Sequence, residues 1–165
     1  MAQIARRGNP TNTVGDLPAV ASQAPSFTLA GPDLGEVSSE EFRGSPLVLN
    51  IFPSVDTGVC ASSVRAFNER AAGLDGVTVL NVSMDLPFAQ ARFCGAEGIE
   101  NARTASAFRS SFGNDFGVTI VDGPMAGLLS RAVLVLDADG KVTYTQQVPD
   151  LSQEPDYDAA LSALG

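Results

Sequence analysis

The stretch Leu47–Phe52, LVLNIF, limits the possible folds of this chain more than any other segment. It is almost unbroken apolar sequence, and it stops at Pro53. A half-exposed strand alternates apolar and polar residues, whereas an unbroken run belongs to a strand buried on both faces. Such a strand needs partners on either side and a layer on each face. A helix follows it: Cys60, Val64, Phe67, Ala71 and Leu74 recur at steps of three and four, with Gly73 and Gly76 bracketing the end. Val77–Ser83, VTVLNVS, reads as a second strand. Strand, helix and strand in this order make a parallel crossover unit.

The flanking segments extend that unit. Gln3–Arg7, a polar turn at Gly8-Asn9-Pro10, and Thr11–Val14 read as an N-terminal β-hairpin. Gly15–Pro25 is loop-like and Phe27–Leu29 a short strand. Ser38 stands three residues before Glu41, the spacing of a capping box, and Gly44 and Pro46 keep the helix it opens short. Pro87 sits at the first position of another helix, with Cys94 at its end before Gly95. Ala102–Phe112 reads as a further helix. Arg131–Leu136 is a third strand; Asp137–Gly140 turns it back into Lys141–Val148. Pro155–Leu164 closes the chain as a helix with Tyr157, Leu161 and Leu164 on its apolar face. The order gives an α/β fold: a thioredoxin-like mixed central sheet with helices on both faces and an N-terminal β-hairpin. An open flavodoxin-like sheet is the alternative, disfavoured because a tight turn joins the last strands. With no repeat, low-complexity tract or long linker, residues 1–165 read as one domain.

Absences narrow the chemistry. There is no histidine, which removes Ser-His-Asp and Cys-His hydrolases and histidine-ligated zinc or haem. Two cysteines cannot build a four-cysteine metal site within one chain. Ten basic against nineteen acidic residues leave a net charge of −9, and the single lysine is Lys141. Nucleic-acid binding depends on phosphate neutralisation by Lys and Arg, so no nucleic-acid partner is expected. Met1–Pro10 has no apolar core of a secretory signal, and runs such as Ala132–Leu136 are far short of the ~20 residues of a membrane span. The expectation is a cytoplasmic chain that does not enter a membrane. No G-x-G-x-x-G follows a strand, and no cofactor or metal is expected.

Cys60 is where chemistry can reside. Free cysteine often behaves as a small buried hydrophobe. Cys60, however, follows a loop that leaves the end of a central strand, the edge where open α/β sheets build sites. It also stands at a helix start, where unpaired N–H groups and the helix dipole favour an anion, and the thiolate is the nucleophilic form. Position 63 is Ser63, so there is no Cys-x-x-Cys; Arg65 gives Cys-x4-Arg, one residue short of a phosphatase loop. Attack on a peroxide suits such a thiolate, because that reaction needs no oxyanion hole.

Pro53-Ser54-Val55-Asp56-Thr57-Gly58-Val59-Cys60 carries Pro-x3-Thr-x2-Cys, the active-site pattern of peroxiredoxins. Asp85–Gln90 with Arg92–Gly95, and Ala126–Ala132, resemble two further signatures of the bacterial thiol peroxidase branch. The whole chain resembles an atypical two-cysteine peroxiredoxin of that branch. The resemblance implies that Cys60 is the peroxidatic cysteine, oxidised to sulfenic acid, and that Cys94 resolves it as an intrachain disulfide. It implies that the Thr57 hydroxyl bonds the thiolate and the peroxide, that Pro53 shields the sulfur, and that Arg131 holds the thiolate and polarises the peroxide. Read alone, Thr57 is a helix N-cap, Pro53 a strand stop and Arg131 a strand-edge charge. Some relatives carry a third cysteine where this chain has Asn81. Disulfide geometry needs Cα atoms within ~7 Å, so one or both helix ends are expected to unwind when the bond forms.

The implied activity is reduction of hydrogen peroxide and of alkyl or lipid hydroperoxides, with thioredoxin as reductant and a homodimer as the assembly. The same cysteines would serve a non-catalytic redox sensor that relays a disulfide to a partner. A structural thioredoxin-fold module with inert thiols is the third reading. Phe108, Phe112 and Phe116 are candidates for an exposed patch or for core.

Overall fold

The computed structural model describes residues 1–164. Seven strands form the main sheet: β3 (Thr28–Ala30), β4 (Glu36–Ser38), β5 (Leu47–Ile51), β6 (Thr78–Ser83), β7 (Arg103–Ser106), β8 (Ala132–Leu136) and β9 (Val142–Gln147). Their spatial order is β4-β3-β7-β6-β5-β8-β9. β5 lies between β6, parallel to it, and β8, antiparallel, and all five of its residues are buried. Its side chains divide between two cores. Leu47, Leu49 and Ile51 face one side with Phe27, Phe42, Phe112 and Phe116, while Val48 faces the other with Phe67, Val133 and Val135. The second face is covered by α1 (Gly58–Ala71), α2 (Pro87–Glu97) and α4 (Tyr157–Ser162). The first is covered by two short pieces, a 3-10 turn at Ser39–Phe42 and α3 (Phe112–Asp115), and by a loop. Among the described residues no helix is long and apolar enough to cross a membrane.

The capping box at the 3-10 turn is present: the Glu40 N–H donates to Ser38 Oγ at 3.3 Å and the Ser38 N–H to Glu41 Oε2 at 2.7 Å. The N-terminal hairpin pairs β1 (Gln3–Arg6) with β2 (Asn9–Asn12). Its turn is Arg7-Gly8, one residue earlier than expected, with both φ angles positive at 50° and 82°. That is the two-residue turn whose twist matches a hairpin. Pro10 lies in the strand opposite Ala5.

The expected helix over Ala102–Phe112 is not there. Arg103–Ser106 is instead a strand between β6 and β3, paired Leu80–Arg103 through Ser83–Ser106. Thr favours strands and Ala does not, so the short segment has no uniform preference of its own, and the ladder position between β6 and β3 decides its conformation. Only Phe112–Asp115 at the far end is helical, and the Phe112 and Phe116 rings stack at 4.3 Å inside the core. Those two rings therefore form no exposed patch, and Phe108 is half-buried. The three-residue β4 was not anticipated, and α4 is shorter than the Pro155–Leu164 span.

Candidate active site

The loop that carries Cys60 is pinned by a carboxylate. Asp85 accepts from the Ser54 hydroxyl at 2.7 Å, the Val55 N–H at 2.9 Å and the Ser83 hydroxyl at 2.7 Å. This ties the exit of β5 to the exit of β6. Thr57 is the N-cap residue of α1 by backbone, yet its hydroxyl makes no cap bond and donates to the Ser54 carbonyl at 3.1 Å. The hydroxyl proton is thus committed to the loop, and the oxygen is left to accept.

Cys60 sits in the first turn of α1 and is fully buried. A buried chain of hydrogen bonds fixes that turn from below. Asn81 donates to the Arg103 carbonyl at 3.2 Å and accepts from Asn50 at 2.9 Å; Asn50 also donates to the Ser63 hydroxyl at 3.2 Å, which donates to the Cys60 carbonyl at 2.8 Å. Asn81 thus has a structural task of its own.

Arg131 immediately precedes β8 and is 1% exposed. Its Nη2 donates to Cys60 Sγ at 3.1 Å, and Nη2 and Nε converge on the Leu151 carbonyl at 2.8 and 3.1 Å. Its Nη1 has no hydrogen-bond partner among the described residues. Among the described residues no carboxylate lies within ion-pair distance of this guanidinium. A buried guanidinium is costly unless its donors are engaged, and here the Leu151 carbonyl and the Cys60 sulfur engage them. Arg131 also lines a cavity of about 180 Å³ together with Pro53, Thr57, Gly58, Val59 and Leu151, so it joins that cavity to the thiol behind it. Neither cysteine lines this cavity, and neither lines a wider polar groove near Glu36 and Arg109; what sets the cavity apart is Arg131, which touches the Cys60 sulfur.

The segment that positions Arg131 was not read from the sequence. The Val148 N–H and Gln147 Nε2 hold the Arg131 carbonyl, both at 3.0 Å, while Leu151 holds its side chain. The stretch after β9 is in turn strapped to β1: Ala5 N–H donates to the Pro149 carbonyl and Leu151 N–H to the Ala5 carbonyl, both at 2.8 Å. Asp150 accepts from the Arg7 and Gly8 N–H groups at 3.1 and 2.9 Å, and from the Ser152 N–H and hydroxyl at 2.9 and 2.6 Å. These bonds, led by those from Ser152, hold its carboxyl far below the usual aspartate range. A backbone carbonyl acting as an arginine anchor leaves no residue-type signal in a sequence.

Cys94 lies in α2, which runs to Glu97 and ends on Gly98 with φ 66°, three residues beyond the expected stop. Both cysteines are free thiols. Cys94 packs half-buried against the apolar cluster of Phe52, Val55, Cys60, Val64 and Ile99. Burial pushes its thiol above the ordinary value, partly offset by a hydrogen bond with Thr104. Pro53, Thr57, Cys60 and Arg131 thus form one constellation, with Cys94 at the edge of the cluster that encloses Cys60.

Comparison with known proteins identifies the family. The redoxin family profile matches residues 19–161. A thiol peroxidase of Mycobacterium tuberculosis is 68% identical over 165 residues, covering 100% of this chain and 99% of the relative. A thiol peroxidase of Corynebacterium glutamicum is 59% identical over 164 residues, covering 99% of both. The crystal structure of a peroxiredoxin-like protein from Aquifex aeolicus superposes with a TM-score of 0.94 at 40% identity, covering 99% of this chain and 96% of that one.

Proposed function

The chain belongs to the redoxin family as a peroxiredoxin of the thiol peroxidase branch, a thiol-dependent peroxidase, and on that premise we propose that Cys60 is its peroxidatic thiolate and Cys94 its resolving thiol. The observation that carries the assignment is the buried Arg131, which donates to the Cys60 sulfur, pairs with no carboxylate among the described residues and has Nη1 unspent. A hydroperoxide entering the cavity lined by Pro53 and Thr57 meets that donor. The thiol gives its proton to water and the thiolate attacks the distal peroxide oxygen; the S–O bond forms as the O–O bond breaks, the sulfenic acid keeps that oxygen's hydrogen, and the departing alkoxide takes a proton back from water and leaves as the alcohol. Arg131 balances charge as it moves from sulfur to the departing oxygen. Thr57, its own proton given to Ser54, accepts the O–H of the bound peroxide and orients it. Buried Pro53 closes the wall beside it.

Cys94 then attacks the Cys60 sulfenic acid. An intrachain disulfide forms and water leaves. Two electrons from a dithiol, of which thioredoxin is the expected source, restore both thiols. We further propose that the chain acts as one catalytic domain in a cytoplasmic homodimer. Intact mass after one equivalent of an organic hydroperoxide tests the cysteine roles. The wild type is expected to lose two hydrogens as a monomeric chain, and Cys94→Ser to gain one oxygen at Cys60. If neither mass changes, Cys60 is inert and the assignment fails.

A further inference from the structure

Arg6 and Arg7 line the same cavity as Arg131. Both are exposed, and among the described residues neither side chain makes an ion pair or a hydrogen bond. That is uncommon within this chain. Arg43, Arg65, Arg70, Arg92 and Arg103 all pair with carboxylates, and Arg109 donates to the Leu34 carbonyl. With nineteen acidic residues available, two adjacent unpaired cations at the mouth of the cavity call for a reason.

Their placement is also built. Arg7 adopts a φ of 50°, in the left-handed region that residues other than glycine rarely occupy. The Asp150 carboxylate holds the turn there through the Arg7 and Gly8 backbone N–H groups. The same carboxylate takes two bonds from Ser152, so it fixes the backbone of the turn that carries Arg7 beside the cavity without pairing either arginine side chain. Next to this mouth lies a depression of about 160 Å³ that shares Arg6 and Met125 with the cavity and adds Pro10 and Pro124. An apolar shelf therefore continues outward from the cations.

We propose that Arg6 and Arg7 form an anion-recognising rim, which favours hydroperoxides that carry a carboxylate on an apolar chain. The proposal rests on the reading of Cys60 as the peroxidatic sulfur. A net charge of −9 repels an anion from the molecule as a whole, and a local cationic mouth reverses the sign where the substrate enters.

Linoleic acid hydroperoxide and its methyl ester make a matched pair of probes, used below their aggregation concentrations. In the wild type, kcat/KM for the acid is expected to exceed that for the ester by about five-fold at low salt, shrinking toward parity as salt screens exposed charges. In the double variant Arg6→Gln/Arg7→Gln the acid-to-ester ratio is expected to fall to about one, and Arg6→Lys/Arg7→Lys is expected to retain most of it. Equal wild-type rates for acid and ester would overturn the proposal. So would a ratio that survives the glutamine pair, or one that the lysine pair does not restore. Tert-butyl hydroperoxide separates the two levels of the argument: if the wild type does not reduce it, the Cys60 assignment falls and the rim with it.

Discussion

At the scale of single residues, the site turns on one guanidinium with divided duties. Arg131 gives two donors to the Leu151 carbonyl and shares one of them with the Cys60 sulfur. A lysine there keeps the charge but has no planar fork to span the two acceptors. Arg131→Lys is therefore expected to slow peroxide oxidation of Cys60 by on the order of 10²–10³, the usual effect of losing one donor to a developing charge. Stopped-flow oxidation of the reduced protein measures this, and a loss below tenfold would sink the proposed role. Asp150 acts one step away. Its carboxyl lies far below the usual range, so its bonds add stability that is fully present above the ordinary aspartate value of ~3.9 and is lost as pH falls further toward the depressed folded value. Asp150→Asn is expected to flatten that acid limb of the stability curve. Urea midpoints between pH 5 and pH 2 report it, and identical limbs for variant and wild type would show the carboxylate contributes nothing.

At the scale of elements, α2 is the piece suited to move. It buries only Pro87 and Gln90, and Gln90 is held by polar contacts, to Ser83 and the Ala105 carbonyl at 3.0 Å each. Its last turn is closed by Gly98 and Ile99 N–H bonds to the Cys94 carbonyl. Forming the disulfide is expected to open that turn. Hydrogen exchange should then quicken at Gly98 and Ile99 on oxidation, while β5 amides stay protected. Gly98→Ala supplies a second reading: it is expected to cost about 1 kcal/mol in the reduced protein, because φ is 66° there, and less in the oxidised one. Equal costs and unchanged exchange would place the rearrangement elsewhere. The elements also show what a sequence can reveal. Leu47–Ile51 was legible because burial on both faces imposes an unbroken apolar run, and the box at Ser38 because capping needs particular side chains. Cys60, Thr57 and Pro53 were legible as one motif. Arg103–Ser106 was misread as helix because its conformation is set by the strands beside it rather than by its own small side chains. The strap at Val148–Leu151 was invisible because its hold on Ala5 and on Arg131 is made by backbone carbonyls and amides.

At the scale of the whole molecule, the two thiol states are two different balances of order. A disulfide between Cys60 and Cys94 restricts the unfolded chain by ~4 kcal/mol in the loop-entropy account. Against that stands the loss of the α2 turn and of the Arg131–Cys60 contact. The oxidised protein is therefore expected to gain much less than ~4 kcal/mol over the reduced one in urea unfolding at neutral pH. A gain of that full size would mean the bond forms without rearrangement. The strap between β1 and Pro149–Leu151 carries a further consequence, for synthesis. The reactive cysteine leaves the ribosome well before the carbonyl that aims its arginine. A growing chain thus carries its thiol for a time without the partner that equips it to react. Competence to reduce a peroxide waits until Leu151 reaches Ala5.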